Sequence, residues 1–257
     1  MSQALIGAAR TGFLRNAAIG FCGKIPARGD FVHAGLPRTF TDPWDDWMQR
    51  MLAASRSILG QAWLPAWLEA PVWRFVLSPD VCGPDAAIGL WAPSVDSVGR
   101  YFPLTLAVVA PAADSHGLMC AAGGFLAAAE WAARDALEND LPPDELALRL
   151  ATGASAPPAG PGVDPSLCPP RGGLWWTDGA PLVSDSAFAS AGLPDENTFI
   201  TMLVSCYSTP PAISPVQTHR TGMGRRRALE SPGGESPMLD RRLHHRVCTG
   251  EIAGGME

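Results

Sequence analysis

The chain has 257 residues, a net charge of −6, 47 % hydrophobic and 17 % charged residues. That balance describes a globular chain with a sizeable core and argues against disorder as a whole. It also argues against general nucleic-acid binding, which needs a basic face to neutralise phosphates. The charge is uneven: residues 1–207 hold 12 basic and 20 acidic groups, whereas residues 208–257 hold seven arginines and five acids. Six widely scattered cysteines (Cys22, Cys82, Cys120, Cys168, Cys206, Cys248) form no CxxC pair, which excludes a zinc ribbon and favours reduced thiols in the cytoplasm. No window approaches the roughly 20 apolar residues of a membrane span.

In chain order, residues 1–18 read as a flexible leader and Ala18 to Cys22 as a first strand. The strand runs into Gly20-Phe21-Cys22-Gly23-Lys24-Ile25-Pro26-Ala27-Arg28-Gly29-Asp30-Phe31, which holds the only lysine of the chain beside 18 arginines elsewhere. So many glycines and charges in one short run suit a recognition loop or a tightly folded corner. The segment from Leu36 to Gly60 carries the clearest helix. Asp42 reads as its N-cap, Pro43 as its first residue and Gly60 as its stop. Trp44, Trp47, Met48, Met51, Leu52 and Ile58 fall on one face at helical spacing, a face to be buried in the core. Gln61 to Glu69 reads as a short helical turn interrupted by Pro65.

Val72 to Leu77, Ala87 to Trp91 and Leu104 to Ala110 read as three strands of an antiparallel meander. The last two flank Pro93 to Pro103, which contains Ser94, Asp96 and Arg100. Ser115 to Glu138 is alanine-rich and helical, with Gly123-Gly124 as a kink or a close-packing point, and Pro143 to Leu150 opens another helix. Thr152 to Gly173 reads as a long surface loop, Leu174 to Thr177 as a short strand, and Asp195 as the cap of a last helix through Ser205. From residue 207 onward apolar spacing disappears and a disordered tail is expected.

Gly23-Lys24 lacks the upstream glycine and downstream Ser/Thr of a phosphate loop, so no nucleotide cofactor is expected. Arg28-Gly29-Asp30 spells an adhesion tripeptide, too short to carry meaning. Asp30 would instead pair with Arg28 or Lys24, or cap the following turn, and is expected to be internal with Lys24 more exposed. Ser94, Asp96 and His33 can be assembled into a small hydrolase, but Ser94 stands outside GxSxG. Asp96 and Arg100, four apart, form a structural ion pair or present Arg100 to a partner. The histidines show no paired-ligand spacing, so no metal is expected. Trp175 and Trp176 point to opposite sides of a strand, one of them towards a second layer or a partner.

Taken together, Gly20 to Val32, Leu36-Pro37, Trp44 to Trp47, Ser55-Arg56, Leu59-Gly60, Trp63, Pro71 to Leu77, Pro93 to Thr105 and Trp175-Trp176 resemble the TagF-like proteins associated with bacterial type VI secretion. The resemblance covers residues 19–206. It implies a cytoplasmic α/β domain with a mixed, largely antiparallel sheet packed between helices in three layers. It implies a non-enzymatic repressor of secretion that acts after translation by contact with a forkhead-associated scaffold of the threonine-phosphorylation pathway. No catalytic residues come with it. Lys24, Arg28, Asp30, Ser94, Asp96, Arg100, Trp175 and Trp176 are the candidate partner-binding or motif residues. Some relatives carry a PP2C-like phosphatase after this domain, and His219 to Leu239 faintly resembles its start.

Overall fold

The continuous apolar runs of the middle strands leave neither face fit for water, so the sheet they build needs cover on both sides. The structure, a computed structural model, describes residues 16–111, 113–153 and 162–205. Most of the expected leader, the tail and its phosphatase-like stretch lie outside the described residues. Seven strands are present: β1 (Ala18–Gly23), β2 (Val32–Ala34), β3 (Trp73–Leu77), β4 (Ala86–Ala92), β5 (Leu104–Ala110), β6 (Gly173–Thr177) and β7 (Ser186–Ser190). They form one sheet in the order β2-β1-β5-β4-β3-β6-β7, and every neighbouring pair is antiparallel. The expected meander is β3, β4 and β5, with Phe75 opposite Gly89 and Gly89 opposite Ala107.

One face of the sheet, with Val76, Ile88, Leu90, Leu106, Val108 and Leu174, packs with the buried residues of α3 (Ser115–Ala121), α4 (Gly123–Glu138) and α5 (Pro143–Gly153). The other face packs with α1 (Arg38–Leu59), α2 (Trp63–Leu68) and α6 (Glu196–Leu203) around Phe75, Trp91, Val109 and Trp175. The result is the expected three-layer α/β arrangement. Arg74 sits on the first face of an otherwise apolar strand. Its guanidinium pairs with Glu130 of α4 and with Asp178, so this internal cation also ties the sheet to the helix layer.

The second layer is built on tryptophan. A buried indole usually finds an acceptor for its N–H. Trp44 donates to the Thr105 hydroxyl at 3.0 Å, Trp47 to the Pro194 carbonyl at 2.7 Å and Trp73 to the Met202 carbonyl at 2.9 Å. Among the described residues Trp91 Nε1 is the buried side-chain nitrogen left without one. Trp91 stacks between Trp67 and Phe199 instead, with ring centroids 6.3 and 5.7 Å away.

Several boundaries differ from the sequence reading. α1 starts at Arg38, with Pro37 in the cap position, so Asp42 and Pro43 both lie inside the helix. Burial of Phe40 explains the extra turn, because it stacks on Trp44 at 5.4 Å and needs helical backbone to do so. Ile58, expected on the buried face, is exposed. Pro43 has no N–H to give, so the Thr39 carbonyl loses its helical donor. Gly83 closes over that carbonyl: a β-carbon on Gly83 would stand 2.3 Å from the Thr39 oxygen, and its φ is +96°. Gly83→Ala is therefore expected to destabilise the fold by about 2 kcal/mol, through collision and left-handed strain together. Urea midpoints of the two proteins measure it; an unchanged midpoint refutes the contact.

The alanine-rich segment divides at Ala122 into α3 and α4, at the expected glycine pair. Asp114 caps α3 by accepting from Gly117 N at 2.6 Å, and Asp195 caps α6 by accepting from Thr198 N at 2.8 Å. Among the described residues no helix is long and apolar enough to cross a membrane.

Candidate partner-binding site

The two motif segments meet at the end of β1 and the start of β5. Gly23 ends β1 with φ +132°, and a β-carbon there would stand 2.0 Å from the Pro103 carbonyl oxygen, so only glycine lets the loop pass this closely. Residues 24–31 then turn, with Arg28 N donating to the Ile25 carbonyl at 3.2 Å. Residues 93–103 form a small hairpin. Phe102 N donates to the Ser94 carbonyl at 3.2 Å, Val95 bridges Tyr101, and the tip closes on Gly99 with φ +83°. Ser97 N donates to the Arg28 carbonyl at 3.0 Å and Ser94 Oγ to the Lys24 carbonyl at 2.7 Å, which joins loop to hairpin.

Asp96 is the centre of this corner. Its residue is 3 % exposed, and its carboxylate accepts from Val98 N at 3.0 Å, Arg100 N at 2.8 Å, Arg100 Nε at 2.7 Å and the Lys24 ammonium. Burial alone would raise its pKa. The Lys24 and Arg100 side chains and the two backbone N–H groups overcome that and hold it down at about 2. The guanidinium of Arg100 also donates to the Gly29 carbonyl. One carboxylate thus fixes two segments that lie about seventy residues apart along the chain.

This geometry reverses two expectations. Lys24 turns inward, its side chain only 13 % exposed and paired with Asp96, while Asp30 is exposed. The reason is geometric: Asp96 sits where two backbone donors converge, a better cation partner than Asp30, which lies beyond the turn. Among the described residues neither Arg28 nor Asp30 makes a side-chain hydrogen bond or ion pair, and Arg28 is exposed. Trp175 and Trp176 do occupy opposite faces of β6, but both are buried, so neither reaches a partner from this fold. Sheet cover on both faces, absent from the strand's own pattern, is the cause.

The hydrolase arrangement is not assembled. Ser94 spends its proton on a backbone carbonyl, the Asp96 carboxylate is filled by its four donors, and His33 is exposed on β2 opposite Cys22. Among the described residues no cluster of three or more His, Cys, Asp or Glu side chains could hold a metal ion.

Sequence reasoning missed the part played by a further cation. Arg56 of α1 lies 4.2 Å above the Trp63 ring, within cation–π range, and donates to the Tyr101 carbonyl at 3.4 Å. It also missed two exposed apolar side chains on the corner. Phe31 is 43 % exposed and packs edge-on against Phe102 at 5.4 Å, and Val98 is 67 % exposed at the hairpin tip. Phe31 closing a glycine-rich run, where no strand or helix period buries it, was the available signal.

Residues 20–152, which include both motif segments, match the family described as TagF N-terminal domain, type VI secretion system-associated. The fold is similar to the crystal structure of PA0076 from Pseudomonas aeruginosa PAO1, with a TM-score of 0.66 and 33 % sequence identity over 78 % of this chain and 100 % of that one. No curated protein matches the chain.

Proposed function

The chain belongs to the TagF N-terminal domain family, associated with type VI secretion systems, and from that premise we propose that it is a non-enzymatic, post-translational repressor of such a system. It acts in the cytoplasm by contact with a forkhead-associated scaffold of the threonine-phosphorylation pathway. The observation that carries the contact reading is the state of the motif corner. Its internal polar groups are consumed in holding the corner together, as the four donors on Asp96 illustrate. What remains to act is a rigid outer surface bearing Arg28, Arg100, Phe31 and Val98. The partner and the direction of regulation rest on the resemblance of the ordered sequence blocks.

Deleting the gene is expected to raise secretion through the apparatus while transcript levels of its components stay constant, and the purified chain is expected to retain the scaffold in a pull-down. Unchanged secretion removes the repressor role; a pull-down without scaffold removes the partner. Ser94→Ala separates contact from catalysis. A folded variant is expected to repress as the parent does, and loss of repression at unchanged stability would restore the hydrolase.

A further inference from the structure

The outer surface of the corner has a chemistry of its own, and it differs from the rest of the chain. Arg28 and Arg56 are exposed, and the Arg100 side chain is 59 % exposed. Asp96 is already matched from within by Lys24 and Arg100, so Asp30 alone opposes these arginines among the corner residues. A local positive surplus therefore stands on a chain whose net charge is −6. Two of these arginines are also held in place. Arg100 is fixed by its Nε on Asp96 and a second nitrogen on the Gly29 carbonyl, and its Nη1 carries no hydrogen bond among the described residues. Arg56 is fixed by the Trp63 ring and the Tyr101 carbonyl.

The corner also exposes apolar surface. Val98 stands beside Gly29, whose β-position would be 3.9 Å from a Val98 methyl, and Phe31 leans on Phe102. Arginine and aromatic side chains on a rigid support are the composition of binding hot spots, because little conformational freedom is lost on contact. The geometry points to a docking site for an acidic segment of a protein partner: its carboxylates bind Arg28 and the free edge of Arg100, and apolar side chains of the same segment cover Phe31 and Val98. This inference rests on the reading that the protein works by contact, and it names the chemistry that the partner must offer.

Two arms separate the inference from that reading. In the first, the full chain is titrated into a fluorescent peptide of alternating glutamate and leucine, with a lysine–leucine peptide as control. The acidic peptide is expected to bind saturably, more weakly as salt rises, and the basic one not to bind. Arg28→Glu and Val98→Asp are expected to weaken it by about tenfold or more. Leu148→Asp, at a position equally exposed at 66 % but on α5, is expected to change it less than about twofold. Neither Arg28 nor Val98 supports the fold through a side-chain hydrogen bond or ion pair among the described residues, and unfolding curves verify that both variants stay folded. Binding of the acidic peptide that ignores both substitutions, or no binding, overturns the docking site. In the second arm the same proteins are titrated with the forkhead-associated scaffold. Loss in Arg28→Glu and Val98→Asp alone supports the site, and equal binding by all variants places the scaffold elsewhere and overturns it. A parent that binds the acidic peptide but not the scaffold leaves the docking chemistry standing and removes the proposed partner.

Discussion

Asp96→Ala is expected to cost about 3–5 kcal/mol of folding stability, the range for removing one partner of a buried ion pair. Such a loss is a large part of the whole stability of an ordinary domain, which is about 5–15 kcal/mol. The size follows from what is left behind. Lys24, with its side chain only 13 % exposed, keeps its charge and loses its carboxylate. Val98 N and Arg100 N lose their acceptor, and Arg100 loses the contact that aims it. Urea denaturation at neutral pH measures the loss. Asp96→Asn is expected to cost less, since an amide oxygen still accepts from the backbone. A midpoint for Asp96→Ala equal to that of the parent would refute the corner as described.

The same carboxylate sets an acid limit. Its folded pKa of about 2 lies below the ordinary 3.8, so the ionised form is the one the fold prefers. The sign follows: its contribution is complete above the unfolded pKa and is lost as pH falls through the folded one. Integrated over that interval, the contribution is about 2 kcal/mol. The parent is therefore expected to lose that much between about pH 4 and pH 2 from this group, while Asp96→Asn loses it at no pH. Parallel pH dependences of the two proteins over that range would show that Asp96 is not held ionised by the corner.

Much of this architecture is written in local patterns. β4 and β5 are legible because Ala86–Ala92 and Leu104–Ala110 are apolar at every position but Thr105, which only a sheet covered on both faces tolerates. The caps at Asp114 and Asp195 accept from N–H donors three residues away, and the Asp195 cap is legible in the local sequence. What stayed hidden depends on distant partners. Asp42-Pro43 has the local form of a helix start, yet Phe40 is drawn into the aromatic layer and Gly83 covers the orphaned Thr39 carbonyl. β7 reads Ser-Ala-Phe-Ala-Ser, without β-branched residues, and is a strand because β6 pairs with it. At the site, the Asp96–Arg100 pair lies within one turn of chain and was visible. The Lys24–Asp96 pair spans 72 residues, so the local run suggested Asp30 as the internal carboxylate instead. The ordered blocks identified the family because they sample several elements at once, but no block states which of its charges faces water.

Trp44→Ala is expected to be the most damaging change in the helical layer, by about 3–5 kcal/mol, because it combines lost burial with a cavity that rigid neighbours cannot fill. Trp44 is 1 % exposed and its ring lies between Phe40 at 5.4 Å, Trp47 at 5.0 Å, Phe75 at 4.6 Å and Trp175 at 6.2 Å. Those rings come from α1, β3 and β6, so the void opens where helix and sheet are joined. Trp44→Phe keeps most of the ring but leaves Thr105 without its donor, and Thr105→Val leaves the indole N–H without its acceptor. Each single change is expected to cost about 1–3 kcal/mol for the stranded polar group. The double variant strands neither, so its loss should fall short of the sum of the two, measured as a coupling in a double-mutant cycle. Strict additivity would mean that the 3.0 Å contact between Trp44 and Thr105 contributes nothing. The folded Trp44→Phe variant should still bind its partner with the affinity of the parent, because Trp44 lies in the core and bears on the docking surface only by holding α1 in place. Weakened binding at full folding would instead show that α1 transmits small shifts to Arg56 and the corner it touches.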